Sequence, residues 1–400
     1  MGFYNVPIVV AFLAALLVAC LQNRKVGFDE KLEIMGRGIG DKNIITMLLI
    51  FLTAGTFVGV VGRSSAESVA YFMLSIIPAR FAVAVLFVVA CFVSTAMGTS
   101  VGTITLLTPI AAAVSQTSGF SLALCVASVM GGSMFGDNLS FISDTTIAAC
   151  NGQGCEMKDK FKANFFIVLP AAITTVLIFW FATRNMNFHM EENLSYSLWE
   201  VLPYMVVLVG ALIGINVFLV LISGIVISLI VGVSMGHIAL SEMFQVVGSG
   251  VTSMYDITVI SIVVACIVSL VKEHGGIQFI LNLIKNKING RRGAEFGIAL
   301  LAFFVDACTA NNTVAIVMTG PIAKEISEEF DVDPRRSASL LDMFTSVGQG
   351  IIPYGAQLLS AATLTGLTPL QIIPNLYYPL LMGVCGILAI IFRPQSKKLQ

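Results

Sequence analysis

The residue types that could do chemistry in this 400-residue chain are concentrated between Phe135 and Thr146, in the stretch FGDNLSFISDTT. Asp137, Asn138, Ser140, Ser143, Asp144, Thr145 and Thr146 stand there between two apolar runs, SLALCVASVMGGSM and FFIVLPAAITTVLIFWF. Two carboxylates, a carboxamide and several hydroxyls form an all-oxygen donor set, which suits a hard cation better than a soft metal. A carboxylate at membrane depth is costly and normally marks an ion or proton path. This stretch reads as half of a cation-binding site. Three more polar interruptions have the same character. One runs from Ser94 to Thr103 and holds Thr99 and Ser100. Another runs from Asp306 to Thr313 and holds Asn311 and Asn312. The last runs from Gly348 to Gln357, holds Gln349 and Tyr354, and has Asp342 just before it.

The elements that must position these groups follow from composition. The chain is 57% hydrophobic and only 11% charged, where soluble domains carry about 25% charged residues. It reads as an all-α polytopic membrane protein of about 10–12 segments, because apolar runs of helix-spanning length recur throughout. They lie near 7–22, 43–61, 80–97, 162–183, 199–214, 216–235, 256–272, 294–310 and 374–393. The first run has no basic stretch before it and reads as a retained helix rather than a leader. A net charge of −1 argues against a nucleic-acid partner. The eight cysteines include no CxxC, and Cys150 with Cys155 is the one place where pairing or metal binding would fit. No HExxH, P-loop or nucleophile elbow is present. An intramembrane aspartyl protease is also excluded, since Tyr255-Asp256 and Gly136-Asp137 come in the wrong order and Met134 replaces a required glycine. Enzyme chemistry is not expected, and neither is a resident cofactor.

Sliding the chain against itself by 212 positions aligns its halves without a gap. Gly36 and Gly38 fall on Gly248 and Gly250, Phe92-Val93 on Phe304-Val305, Pro109-Ile110-Ala111 on Pro321-Ile322-Ala323, and Gly136 on Gly348. The expected organisation is therefore a first repeat over 1–184, a linker with an unmatched transmembrane helix over 185–215, and a second repeat over 216–400. The loop 22–42 is rich in Lys and Arg where its counterpart has none, and the bias reverses in 62–80 against 272–292. The positive-inside rule reads this as two repeats of opposite orientation, with the N-terminus outside and the C-terminus cytoplasmic. Arg63, Arg80 and Arg184 are then the only basic residues outside. Inverted repeats with broken helices or re-entrant hairpins are the construction of secondary transporters, whose site lies at the midplane where the repeats meet.

Each candidate also has a plainer role. Asp137 and Asp144 could cap half-helices, Asp306 could bond a neighbouring helix, and Asp342 could pair with Arg336 near the interface instead of coupling transport. Asn311, Asn312 and Thr313 are either ligands or interhelical contacts. No Lys or Arg is expected near these acids, so a buried carboxylate would stay protonated until a cation arrives. A sodium ion and a proton would then compete for the same oxygens. If the segment is helical, Asp137 and Asp144 share a face, and two carboxylates could exchange two protons for one sodium.

The motif GDNLSFISDTT resembles the signature of the NhaC-type sodium/proton antiporter family, close to GDKxSPLSDTT, with Asn138 and Phe141 replacing Lys and Pro. Gly98-Thr99-Ser100 with Gly102-Thr103, and the segment from Asp342 to Gly355, resemble two further family regions, the last with Tyr354 and Gly355 where Trp and Asn are commoner. The resemblance implies a bacterial inner-membrane secondary transporter, carrying sodium and protons and able to form a homodimer, with Asp137 and Asp144 as the sodium-binding acids. The alternative it leaves open is a sodium-coupled transporter of an amino acid or carboxylate. Gln349, Tyr354 and Gln357 would serve that role, and the size of the pocket would discriminate.

Overall fold

The computed structural model describes residues 8–141, 143–184, 196–285 and 288–392. Among them the regular structure is helical throughout. In the first half the helices are α1 (Ile8–Leu21), α2 (Phe28–Ile39), α3 (Lys42–Ile76), α4 (Ala82–Met97), α5 (Ser100–Ser118), α6 (Leu122–Leu139), α7 (Asp144–Gln153) and α8 (Met157–Thr183). A separate helix α9 (Leu198–Leu212) follows. The second half has α10 (Val217–Ser234), α11 (Met243–Ser253), α12 (Tyr255–Glu273), α13 (Gly276–Lys285), α14 (Gly290–Thr309), α15 (Asn312–Glu329), α16 (Pro334–Ile351), α17 (Ala356–Thr365), α18 (Pro369–Ile372) and α19 (Tyr377–Phe392).

Five of the described helical segments are long and apolar enough to cross a membrane, or six if the pair bent by 54° near Leu376 is one span. Several expected spans are shorter helices, such as α1, α4 and α9, and others are divided at breaks. Free backbone groups at a break are tolerated at membrane depth only where protein or a cavity receives them. Each break has a local cause. α4 stops at Gly98, whose φ of 67° is left-handed, and Thr99 restarts the chain as α5 by accepting from Gly102 N at 3.3 Å. α14 stops at Ala310, φ 51°, and Asn311 caps α15 by accepting from Val314 N at 3.0 Å. α4 packs on α5 and α14 on α15, so each pair is a helical hairpin with its tip at the break. α6 and α16 stop again at Ser140 and Ile352, and α7 and α17 begin a few residues later, at Asp144 and Ala356.

Helix starts fall on the 212-residue offset: Ser100 with Asn312, Leu122 with Pro334, Asp144 with Ala356, and Met157 with Pro369. Corresponding helices exchange partners between the halves. α5 packs on α17 while α15 packs on α7, α6 packs on α19 while α16 packs on α8, and α3 packs on α10 while α12 packs on α1. The aligned glycines Gly136 and Gly348 share one task. A Cβ on Gly136 would lie 2.4 Å from Cys91 O, and one on Gly348 would lie 2.4 Å from Asp306 Oδ2, so each lets a hairpin arm press against the broken helix beside it.

Candidate cation-binding site

The two hairpin tips and the two breaks surround a cavity of about 360 Å³. Thr99, Ser100, Asp137, Ser143, Asp144 and Thr145 line it from the first half, and Asn311, Asn312, Thr313, Gln349 and Gln357 from the second. Eleven of the residues singled out by type and spacing thus meet in one place. Helices α5, α7, α10, α15 and α17 all begin at its wall, so their N-terminal peptide dipoles converge on it.

Asp137 is the buried acid of this wall, 4% exposed. Its Oδ2 accepts from Ser100 Oγ at 2.8 Å and its Oδ1 from Ser143 Oγ at 2.6 Å. Ser143 Oγ is in turn 2.8 Å from Thr145 Oγ1, and Gln357 Nε2 donates to Ser100 Oγ at 2.8 Å. A residue of the second half therefore closes the hydroxyl chain around a carboxylate of the first. Asp144 differs: it is exposed, occupies the first turn of α7, and lines the open part of the cavity. The two acids do not share a helical face, because the chain leaves the helix between Ser140 and Ser143. An acid in a first helical turn interacts favourably with the N-terminal dipole, so Asp144 has a local role as well.

The remaining candidates lie behind this wall. Asn138 accepts from Ser346 Oγ at 3.0 Å through Oδ1. Ser140 ends α6, and Thr146 is buried on α7. Asp306 is fully buried, its Oδ1 accepting from Gln349 Nε2 at 2.9 Å. Tyr354 lines a second cavity of about 280 Å³ beside α12, its hydroxyl donating to Ala307 O at 2.7 Å.

The expectation that no basic residue approaches these acids is wrong. Lys160, 1% exposed, forms a salt bridge with Asp342 and donates to Asn138 O at 2.7 Å and Thr146 Oγ1 at 2.9 Å. Arg336 pairs with Glu295 at 3.0 Å, so the suggested Arg336–Asp342 pair does not form. The cause is the start of α8, which begins at Met157 and carries Lys160 inward on the face of Asn164, Val168 and Ala171. That face was readable: the spacing of buried residues, followed back from Ala171, reaches Lys160. Asn164, also overlooked, donates to Asn138 O at 3.1 Å and accepts from Ser339 Oγ at 3.1 Å. A lysine beside Asn138 thus supplies the cation that Asn138 itself lacks.

Other groups have no place in the site. Asp256 is exposed in the first turn of α12, His237 lies 3.5 Å from Glu200, and His189 falls outside the described residues. Cys150 and Cys155 carry free thiols, and among the described residues no three His, Cys, Asp or Glu side chains gather around a metal position.

The sequence matches the Na+/H+ antiporter family over residues 4–183 and 187–393. Among characterised relatives it is similar to the malate-2H(+)/Na(+)-lactate antiporter of Bacillus subtilis, 21% identical over 410 residues that cover 94% of this chain and 87% of the relative. It is similar to the same extent to the Na(+)/H(+) antiporter NhaC of Alkalihalophilus pseudofirmus, again 21% identical with 94% and 87% coverage. The crystal structure of the Alcanivorax borkumensis YdaH transporter, 14% identical, aligns over 96% of this chain and 97% of that one with a TM-score of 0.46.

Proposed function

Because this chain belongs to the Na+/H+ antiporter family and is a multi-pass membrane protein, we propose that it exchanges sodium for protons, the two competing for Asp137. The observation that carries this reading is the surrounding of Asp137. Its carboxylate is buried at the cavity wall and held by two hydroxyls, while the neighbouring ammonium of Lys160 is bonded to Asp342. Ser100 and Ser143 can donate to the carboxylate and still turn a lone pair to an arriving cation. Backbone carbonyls released at the breaks complete an oxygen shell. Sodium entering these oxygens replaces the proton on Asp137, and a proton returning from the other side releases sodium. Asp144, at the open side, provides the second carboxylate that an exchange of two protons for one sodium requires. The same reading makes residues 1–184 and 216–400 inverted repeats joined through α9, with the N-terminus outside and the C-terminus cytoplasmic in a bacterial plasma membrane. The exchange of helix partners and the 212-residue offset support it.

The test is sodium-driven proton movement in proteoliposomes, wild type beside Asp137→Asn and Asp144→Asn. Proton movement in the wild type that is lost in Asp137→Asn is the expected result. Correctly inserted wild-type protein that moves no protons with sodium would sink this reading.

A second reading is favoured by the size of the cavity. At about 360 Å³ it falls within the range of small-molecule sites, about 300–1,000 Å³, and is far larger than one dehydrated ion needs. Sodium exchange coupled to a small carboxylate fits that volume, and a malate/lactate antiporter is among the relatives. Sodium-dependent uptake of labelled carboxylates tests it directly.

A further inference from the structure

The two breaks stand 212 residues apart in sequence but carry different chemistry. By that offset Thr99 and Ser100 correspond to Asn311 and Asn312, Asp137 to Gln349, Asp144 to Ala356, and Thr145 to Gln357. Both first-half acids that line the cavity become uncharged residues in the second half. Gln349 is bonded to Asp306, which lies behind it and accepts a hydrogen bond from its amide Nε2.

Two polar atoms on the second-half wall are unmet. Gln357 is 1% exposed, its Nε2 is committed to Ser100, and its Oε1 has no hydrogen-bond partner among the described residues. Asn312 Oδ1 accepts from Thr313 N at 3.1 Å, while its buried Nδ2 has no partner among the described residues. A buried polar group left unmet pays its full desolvation penalty, so such a pair in the wall of a cavity points to a ligand. A sodium ion would serve Gln357 Oε1 but offers nothing to the N–H of Asn312. A molecule with a hydroxyl to donate and a carboxylate oxygen to accept serves both. Negative charge is welcome here, because α15 and α17 begin at this wall. Among the described residues no Lys or Arg lines the cavity, so a carboxylate would take its counter-charge from those helix termini and from the sodium at Asp137.

We infer that the duplicated site has divided its labour: the first half holds one sodium at Asp137, and the second holds a small hydroxycarboxylate between Asn312 and Gln357. This rests on the sodium reading of Asp137 and adds the solute, its chemical class and the residues that select it. The cation count is one because the second break has no carboxylate in the cavity wall.

The experiment is equilibrium binding of radioactive sodium to the purified full chain, together with the shift in thermal unfolding produced by L-lactate, L-malate, succinate and L-alanine in sodium buffer. The expected result is one sodium per chain, lost in Asp137→Asn, and a stabilising shift by a hydroxy acid that exceeds the shifts from succinate and alanine. Asn312→Leu and Asn312→Ala should each weaken the hydroxy-acid response by about tenfold or more, with one sodium still bound, whereas Gln357→Met, which also takes the donor from Ser100, should weaken both responses. Two variants are used so that misfolding of one does not decide the matter. Two sodium ions per chain in the wild type would overturn the proposal and make the second break a cation site. Equal shifts from alanine or succinate, or none from any solute, would overturn the hydroxycarboxylate subsite and leave sodium at Asp137 standing. Sodium binding that survives in Asp137→Asn would instead remove the sodium reading on which the proposal rests.

Discussion

Asp137 on α6 and Asp342 on α16 are both buried carboxylates, 4% and 0% exposed, on the two broken helices. Asp137 lies at a cavity wall among hydroxyls, and its charge is met by no cation in direct contact among the described residues. Asp342 lies away from the cavity wall, its charge met by Lys160, which also ties Asn138 O and Thr146 Oγ1 together at the break between α6 and α7. Burial alone does not distinguish a transporting acid from a structural one; the partner does. A carboxylate held by hydroxyls can trade a proton for a cation, whereas one already neutralised by a lysine is committed. Asp342 therefore joins α8 to α16 and so fastens one half of the molecule to the other, and Asp137 is the acid to which the proposed exchange is assigned.

The largest effect that could break this comparison is on stability at the sealed pair. Lys160→Met leaves a buried carboxylate without its cation, a loss of about 3–5 kcal/mol when one partner of such a pair is removed. Removing both charges in Lys160→Met/Asp342→Leu should recover most of that loss. Thermal unfolding of both variants in detergent checks this, and a single variant as stable as wild type would free Asp342 for a transport role. The next effect is on affinity. Ser143→Ala removes a hydroxyl bond to Asp137, and hydrogen bonds to charged groups contribute about 1.5–3 kcal/mol. The sodium concentration for half-maximal exchange should rise about tenfold or more, while Ser346→Ala, on the Asn138 side, leaves it in place. An equal effect from both would mean that the two networks act as one.

The smallest effect contrasts two helix caps. Thr99 caps α5 at the cavity, and Asp333 caps α16 on its far side by accepting from Arg335 N at 2.9 Å. Thr99→Ala and Asp333→Ala should each cost about 1 kcal/mol in stability. Only Thr99→Ala should also weaken sodium binding, because it loosens the hairpin tip that presents Ser100 to Asp137. Calorimetry paired with sodium titration separates the two.

Much of this is legible in the sequence. The breaks at Gly98-Thr99 and between Ser140 and Ser143 follow from left-handed glycine, capping hydroxyls and the loss of apolar periodicity, and the helices stop there. Four helix starts in the second half, at Asn312, Pro334, Ala356 and Pro369, lie 212 residues after starts in the first. Lys160 stands in KDKFKANFF, where three closely spaced lysines have the look of a solvated turn. A pair with Arg336, one of the two roles open to Asp342, rests on nearness in sequence, and that arginine is taken by Glu295 instead.

The sequence by itself determined what is local to the chain: that it lives in a membrane, where its helices break, and which oxygens those breaks carry. These depend on apolar runs, capping residues and backbone preferences within a few positions. Only the tertiary structure decided which acid faces the cavity and which is neutralised, since Lys160 and Asp342 are 182 residues apart and Ser100 and Gln357 are 257. The charge state and partners of a buried group are set by what packs against it, and no pattern along one segment carries that information.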